Sequence, residues 1–139
     1  MDSEPECRLH HLAVGSADVE RLAAFYQQFF GLHEVARHLD AGGALRAIWL
    51  ELGGAILMLE RTRAEAAHVE GISAGPFLMA FRVSPAARPE LERRLEAAGH
   101  AIESRTAFTS YTRDVDGNRV ALSHYPLRGL PATNDTTSR

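Results

Sequence analysis

One order of secondary-structure elements occurs twice along these 139 residues, and few folds accommodate such a repeat. In the first half, RLHHLAVGS (8–16) reads as a strand. Asp18 then serves as a helix N-cap with Glu20 in the first turn. Val19, Leu22, Tyr26 and Phe29 recur at helical spacing until Gly31 stops the helix. The spacing predicts a helix over 19–30 and strands over 32–39, 45–52 and 55–60, separated by DAGGA (40–44) and Gly53-Gly54. The second half repeats the order. FLMAFRV (77–83) is a strand, and a helix runs from Pro89 at its first turn through Leu91, Leu95 and Ala98 to Gly99, with Glu90 and Arg94 as an i,i+4 pair. Strands are predicted over 101–105, 108–113 and 118–124. The helix-stop glycines Gly31 and Gly99 lie 68 positions apart, each followed closely by a strand. The expected class is α+β: two βαβββ modules around a partly open, barrel-like cleft, with helices on the convex side.

The expected domain spans 8–126, with module one at 8–60, a linker at 61–76 and module two at 77–126. The linker could be helical through Ala64 to His68. Residues 1–7 and 127–139 read as a disordered and a flexible tail. A formal charge of −3 gives no basic field for a phosphate backbone, so no nucleic acid is expected as partner. No apolar run approaches the ~20 residues of a membrane span. The acidic opening MDSEPECRLHH carries no apolar segment, and Cys7 is the single cysteine. No secretory signal and no internal disulfide are therefore expected, and the cytoplasm is the expected compartment.

LHHLAVGSADVERLAAFYQQFFGLHEV (9–35) and DVDGNRVAL (114–122) resemble the opening and closing motifs of the vicinal oxygen chelate superfamily. That group contains glyoxalase I, extradiol dioxygenases, fosfomycin-resistance enzymes and bleomycin-resistance proteins. The resemblance covers about residues 8–126, with Val115 where a proline is usual. It implies a divalent metal on the concave face, held by one residue from the first and last strand of each module. The matching positions here are His11, Met58, Leu78 and Ala121. His11 agrees with the family; the other three stand where a glutamate, a histidine and a glutamate are usual. Thioether, isobutyl and methyl groups do not replace two carboxylates and an imidazole for such ions, so no metal and no other cofactor is expected. A displaced site using His11 and Glu60 is the variant of this reading that would keep a metal. His10 and His124 fall on the opposite face by alternation, and recruiting them would need a bulge.

Alternation assigns further residues to the concave face: Ala13; Ala47, Trp49 and Glu51; Ile56, Met58 and Glu60; Leu78, Ala80 and Arg82; Arg119, Ala121 and Ser123. Tyr111 and Arg113 could join them, and Arg37 could stand at the mouth. The expected ligand contacts are Trp49, Glu51, Ile56, Met58, Glu60, Leu78, Arg82, Tyr111 and Ala121. The set is mostly apolar and suits a flat or aromatic ligand oriented by a few polar groups. An Arg82 buried in an apolar strand would need a carboxylate, from the protein or from the ligand. The DVDGN glycine comes too early for an EF-hand loop, and no phosphate loop or nucleophile elbow is present.

Three functions compete. The first is metal-independent sequestration of a small flat molecule, as the bleomycin-resistance resemblance implies. The second is a metal-free isomerase or lyase with His11 as general acid/base and Arg82 stabilising an enolate or carboxylate. The third is a glyoxalase- or dioxygenase-like metalloenzyme with a shifted site. Whether the chain is an enzyme stays open at this level, and a homodimer is what the resemblance implies.

Overall fold

The computed structural model describes residues 9–62 and 78–126. Both tails, Cys7 and nearly all of the expected linker, including its candidate helix at 64–68, lie outside the described residues. Two compact units make up the fold, one from each half of the chain. The first contains β1 (His11–Ser16), α1 (Val19–Phe30), β2 (Glu34–Leu39), β3 (Leu45–Glu51) and β4 (Ile56–Arg61). The second contains β5 (Leu78–Arg82), α2 (Arg88–Ala97), β6 (Ser104–Arg105), β7 (Thr109–Arg113) and β8 (Arg119–Ser123). The sheets have the same topology, β1-β4-β3-β2 and β5-β8-β7-β6. In each, the first strand runs parallel to the last and the other neighbours are antiparallel. The class is α+β with two βαβββ modules, each built on an open sheet.

Helix α1 forms where the periodicity placed it. Asp18 Oδ1 accepts the Arg21 N–H at 3.1 Å, and Gly31 takes the left-handed conformation (φ 65°) that ends the helix without a Cβ penalty. Its buried face carries Val19, Leu22, Phe25, Tyr26 and Phe29. The sheet offers the fully buried Ile48, Leu50, Leu57 and Leu59 in return. Alternation along β3 and β4 puts these four on one face and sends Trp49, Glu51, Met58 and Glu60 to the other.

Helix α2 is held differently. It buries Leu95 and half-buries Leu91, and Arg88 and Glu92 add polar groups to the same side. Arg88 Nε donates to Ser110 Oγ at 2.8 Å and to Glu92 Oε1 at 3.3 Å. Its Nη atoms donate to the carbonyls of Thr106, Ala107 and Thr109. The Ser110 hydroxyl donates to Glu92, and Arg105 ties Glu92 and Glu96 from β6. Burial pushes the Glu92 carboxyl up, but hydrogen bonds from Ser110, Arg105 and Arg88 outweigh it and hold the group below its ordinary range.

Several boundaries differ from expectation. β1 begins only at His11, and β6 is two residues long rather than five. The Ala101 carbonyl is taken by the Thr112 hydroxyl at 2.8 Å, which occupies an acceptor before the ladder starts. Glu90 is held by Arg93 at i+3, with Nε at 3.0 Å. The turn before β8 is organised by the buried Asp114, whose Oδ1 accepts the N–H groups of Asp116 and Asn118, both at 2.9 Å.

Candidate functional site

The face of the first sheet away from α1 is a small grid fixed by strand register. At one end, His11, Ile56 and Glu51 stand side by side on β1, β4 and β3. The next row is Ala13, Met58, Trp49 and Ala36, and the third is Gly15, Glu60, Ala47 and His38. The predicted residues His11, Trp49, Glu51, Ile56, Met58 and Glu60 therefore share this face.

Trp49, half-buried at the centre, is fixed from two sides. Its indole Nε1–H donates to Glu60 Oε1 at 3.1 Å, and its ring packs against His38 with centroids 4.3 Å apart at 55°. Glu60 Oε2 lies 3.5 Å from the Arg46 guanidinium, so both carboxylate oxygens are engaged. Among the described residues, the buried His38 Nε2 has no hydrogen-bond partner, an unmet polar atom directly beside the tryptophan. His38 escapes a sequence reading because β2 changes register between Glu34 and Ala36 and again between His38 and Leu39. Counting through those irregularities gives the wrong phase. Arg37 correspondingly does not reach this face: it stands opposite Ile48, on the helix side, and pairs with Glu20 of α1 and with Glu34.

At the end of the grid marked by Ile56 and Glu51, a cleft of about 380 Å³ is lined by Leu9, His10, Glu51, Gly54, Ala55 and Ile56. Glu51 Oε1 accepts the Gly54 N–H at 2.8 Å, which fixes the carboxylate across the β3–β4 turn. His10 precedes β1, so strand alternation does not govern it. Its Nδ1 lies 2.9 Å from the Nδ1 of His11, and the rings meet edge to face at 5.2 Å. One Nδ1 donates and the other accepts, so the two imidazoles hold complementary tautomers.

In the second sheet, Leu78, Arg82, Tyr111 and Ala121 share the face turned from α2. Leu78 stands opposite Arg119, Ala80 opposite Ala121, and Arg82 opposite Ser123. Tyr111 stands opposite Ala121, which settles the ambiguous facing of β7. Ala121 is fully buried and Arg119 nearly so. Arg82 corrects an expectation: it is exposed on the edge strand β5, so the cost of burying a guanidinium does not apply to it. The His124 side chain contacts Arg88 at Nε2, 3.2 Å from Nη1. A guanidinium only donates, so that nitrogen accepts.

The registers also show the internal repeat. Met58 lies two residues beyond the partner of His11, and Ala121 lies two beyond the partner of Leu78. His11 and Met58 in one module thus correspond to Leu78 and Ala121 in the other. These four positions offer one imidazole, one thioether and two hydrocarbons, a set that does not fit a hard or borderline divalent cation. His11 and Glu60 lie two rows apart, roughly 13 Å along the strands. Among the described residues no three His, Cys, Asp or Glu side chains gather as a metal site. No described helix is long and apolar enough to cross a membrane.

Comparison with known proteins agrees with this architecture. The chain is similar in fold to a mutant fosfomycin resistance protein FosX from Listeria monocytogenes, complexed with Mn(II) and 1S,2S-dihydroxypropylphosphonic acid. The TM-score is 0.72 at 18% identity, over 86% of this chain and 94% of that one. FosX from Mesorhizobium loti gives 0.70 at 17% identity over 86% and 93%. Lactoylglutathione lyase from Agrobacterium tumefaciens gives 0.64 at 24% identity over 91% and 100%. Among curated proteins none matches the sequence. The family model described as Glyoxalase/Bleomycin resistance protein/Dioxygenase superfamily matches residues 8–122, and the chain belongs to that superfamily.

Proposed function

We propose that this protein is a metal-independent member of the superfamily that binds a small, flat or aromatic molecule on the open face of its first sheet. One observation carries the reading: Trp49 is held rigid by Glu60 and His38 beside Met58 and Ile56, on a face whose neighbours Ala13, Ala36 and Gly15 are small. A fixed indole presents a large contact area with little rotamer entropy left to lose on binding. The protein would act in the cytoplasm as a homodimer. Trp49 is the only tryptophan, so its fluorescence reports ligand directly. Titration with planar aromatic compounds should give saturable quenching of equal affinity in EDTA and in Mn(II). Quenching that requires the metal would overturn the reading.

A second reading is favoured by the His10–His11 contact. With its Nδ1 engaged, His11 keeps Nε2 for proton transfer in a metal-free isomerase or lyase step. Under this reading His11→Ala abolishes turnover of a bound compound and leaves binding intact. Equal losses of binding and turnover would count against it.

A further inference from the structure

The ends of the first grid are chemically unequal. Glu60 is consumed by the protein itself, between Trp49 and Arg46. Glu51 is not: only its Oε1 is engaged, by the Gly54 N–H, and among the described residues Oε2 has no partner. Glu51 lines the 380 Å³ cleft with His10 and the apolar Leu9, Ala55 and Ile56. It stands on the same strand and face as Trp49, two residues on, which separates the two Cα positions by about 6.7 Å. The hydrogen bond from Gly54 holds the carboxylate in place, so little ordering remains when a cation meets it.

We infer that the ligand is an arylalkyl cation: an aromatic body seated on Trp49 and Met58, with a protonated amine on a short linker reaching Glu51. This deepens the proposed function and rests on it. The cleft end selects for charge, and the platform selects for flatness. A carboxylate at the same place in the ligand would meet Glu51 as a like charge, while a hydroxyl could still donate to it but would bring no positive charge of its own.

The test uses three probes of matched shape, 2-phenylethylamine, 2-phenylethanol and 3-phenylpropanoate, titrated against Trp49 fluorescence excited beyond phenyl absorption. The amine should bind roughly fivefold tighter than the alcohol, about what one ion pair adds at a half-exposed site, and the carboxylate weakest. Glu51→Gln should erase the amine's advantage and leave the alcohol unchanged. Its amide oxygen still accepts the Gly54 N–H, so the turn is preserved. In the unaltered protein, added salt should weaken the amine and spare the alcohol, a readout that needs no variant. Amine and carboxylate binding alike, or an amine preference intact in Glu51→Gln, would overturn the cation anchor while leaving the aromatic platform standing. Failure of all three probes to change Trp49 emission would remove the platform reading, and the anchor with it.

Discussion

The two modules share one topology but line their helices differently. In the first, an apolar helix face closes on Ile48, Leu50, Leu57 and Leu59. In the second, the buried Leu95, Val120 and Leu122 share the helix side with Arg88, Glu92 and Ser110, with Arg105 at its edge. The same strand order thus tolerates either solution, provided that every buried polar group is met. The open faces differ as well. The first carries Trp49, Glu51, Glu60, His11 and His38; the second has a fully buried alanine at the position equivalent to Met58. A repeated scaffold leaves each module free to carry different chemistry, and here Arg88, Glu92 and Ser110 of the second module serve its helix.

The contrast can be broken most severely in the first module. Tyr26→Ala removes a fully buried aromatic side chain from the apolar interface and should cost about 3–5 kcal/mol, read from denaturant midpoints. In the second module, Arg88→Ala removes the donor to three carbonyls and one partner of Glu92, which keeps Arg105 and Ser110, and should cost about 2 kcal/mol. The paired replacement Arg88→Met with Glu92→Leu should recover about half of that loss, because it removes both charges together while the three carbonyls still lack their donor. If the double variant is as unstable as Arg88→Ala alone, the network does more than satisfy itself and the comparison fails.

The smallest effect is in pH. The Glu92 carboxyl is held below its ordinary value of 4.5 in the folded state. Its contribution is therefore fully present above that value and is lost as pH falls through the lower folded value. Glu92→Gln should flatten the acid limb of a stability-versus-pH profile and leave the neutral plateau slightly lowered. An unchanged acid limb would show that other carboxylates set it.

Much of this was legible in the sequence because it depends on short-range physics. The α1 limits follow from Asp18, the apolar spacing and Gly31, and the facing of β3 and β4 follows from strict alternation. Alternation offers Arg37 and passes over His38 because β2 shifts register twice, which a strict period of two does not follow. The polar network of α2 was also illegible. Arg88 reaches Ser110, Thr106, Ala107 and Thr109, about twenty residues away, through contacts that no local pattern encodes. His10 precedes β1, so alternation does not fix its facing. The Asp114 turn left a trace in DVDGN, a motif whose spacing failed a calcium loop and instead closes a tight turn before β8.

The central claim, that His11, Met58, Leu78 and Ala121 are not a metal site, is tested most directly by elemental analysis of protein grown in metal-replete medium and never exposed to chelator. The account predicts less than about a tenth of an equivalent of any transition metal per chain, and a value close to one equivalent would contradict it.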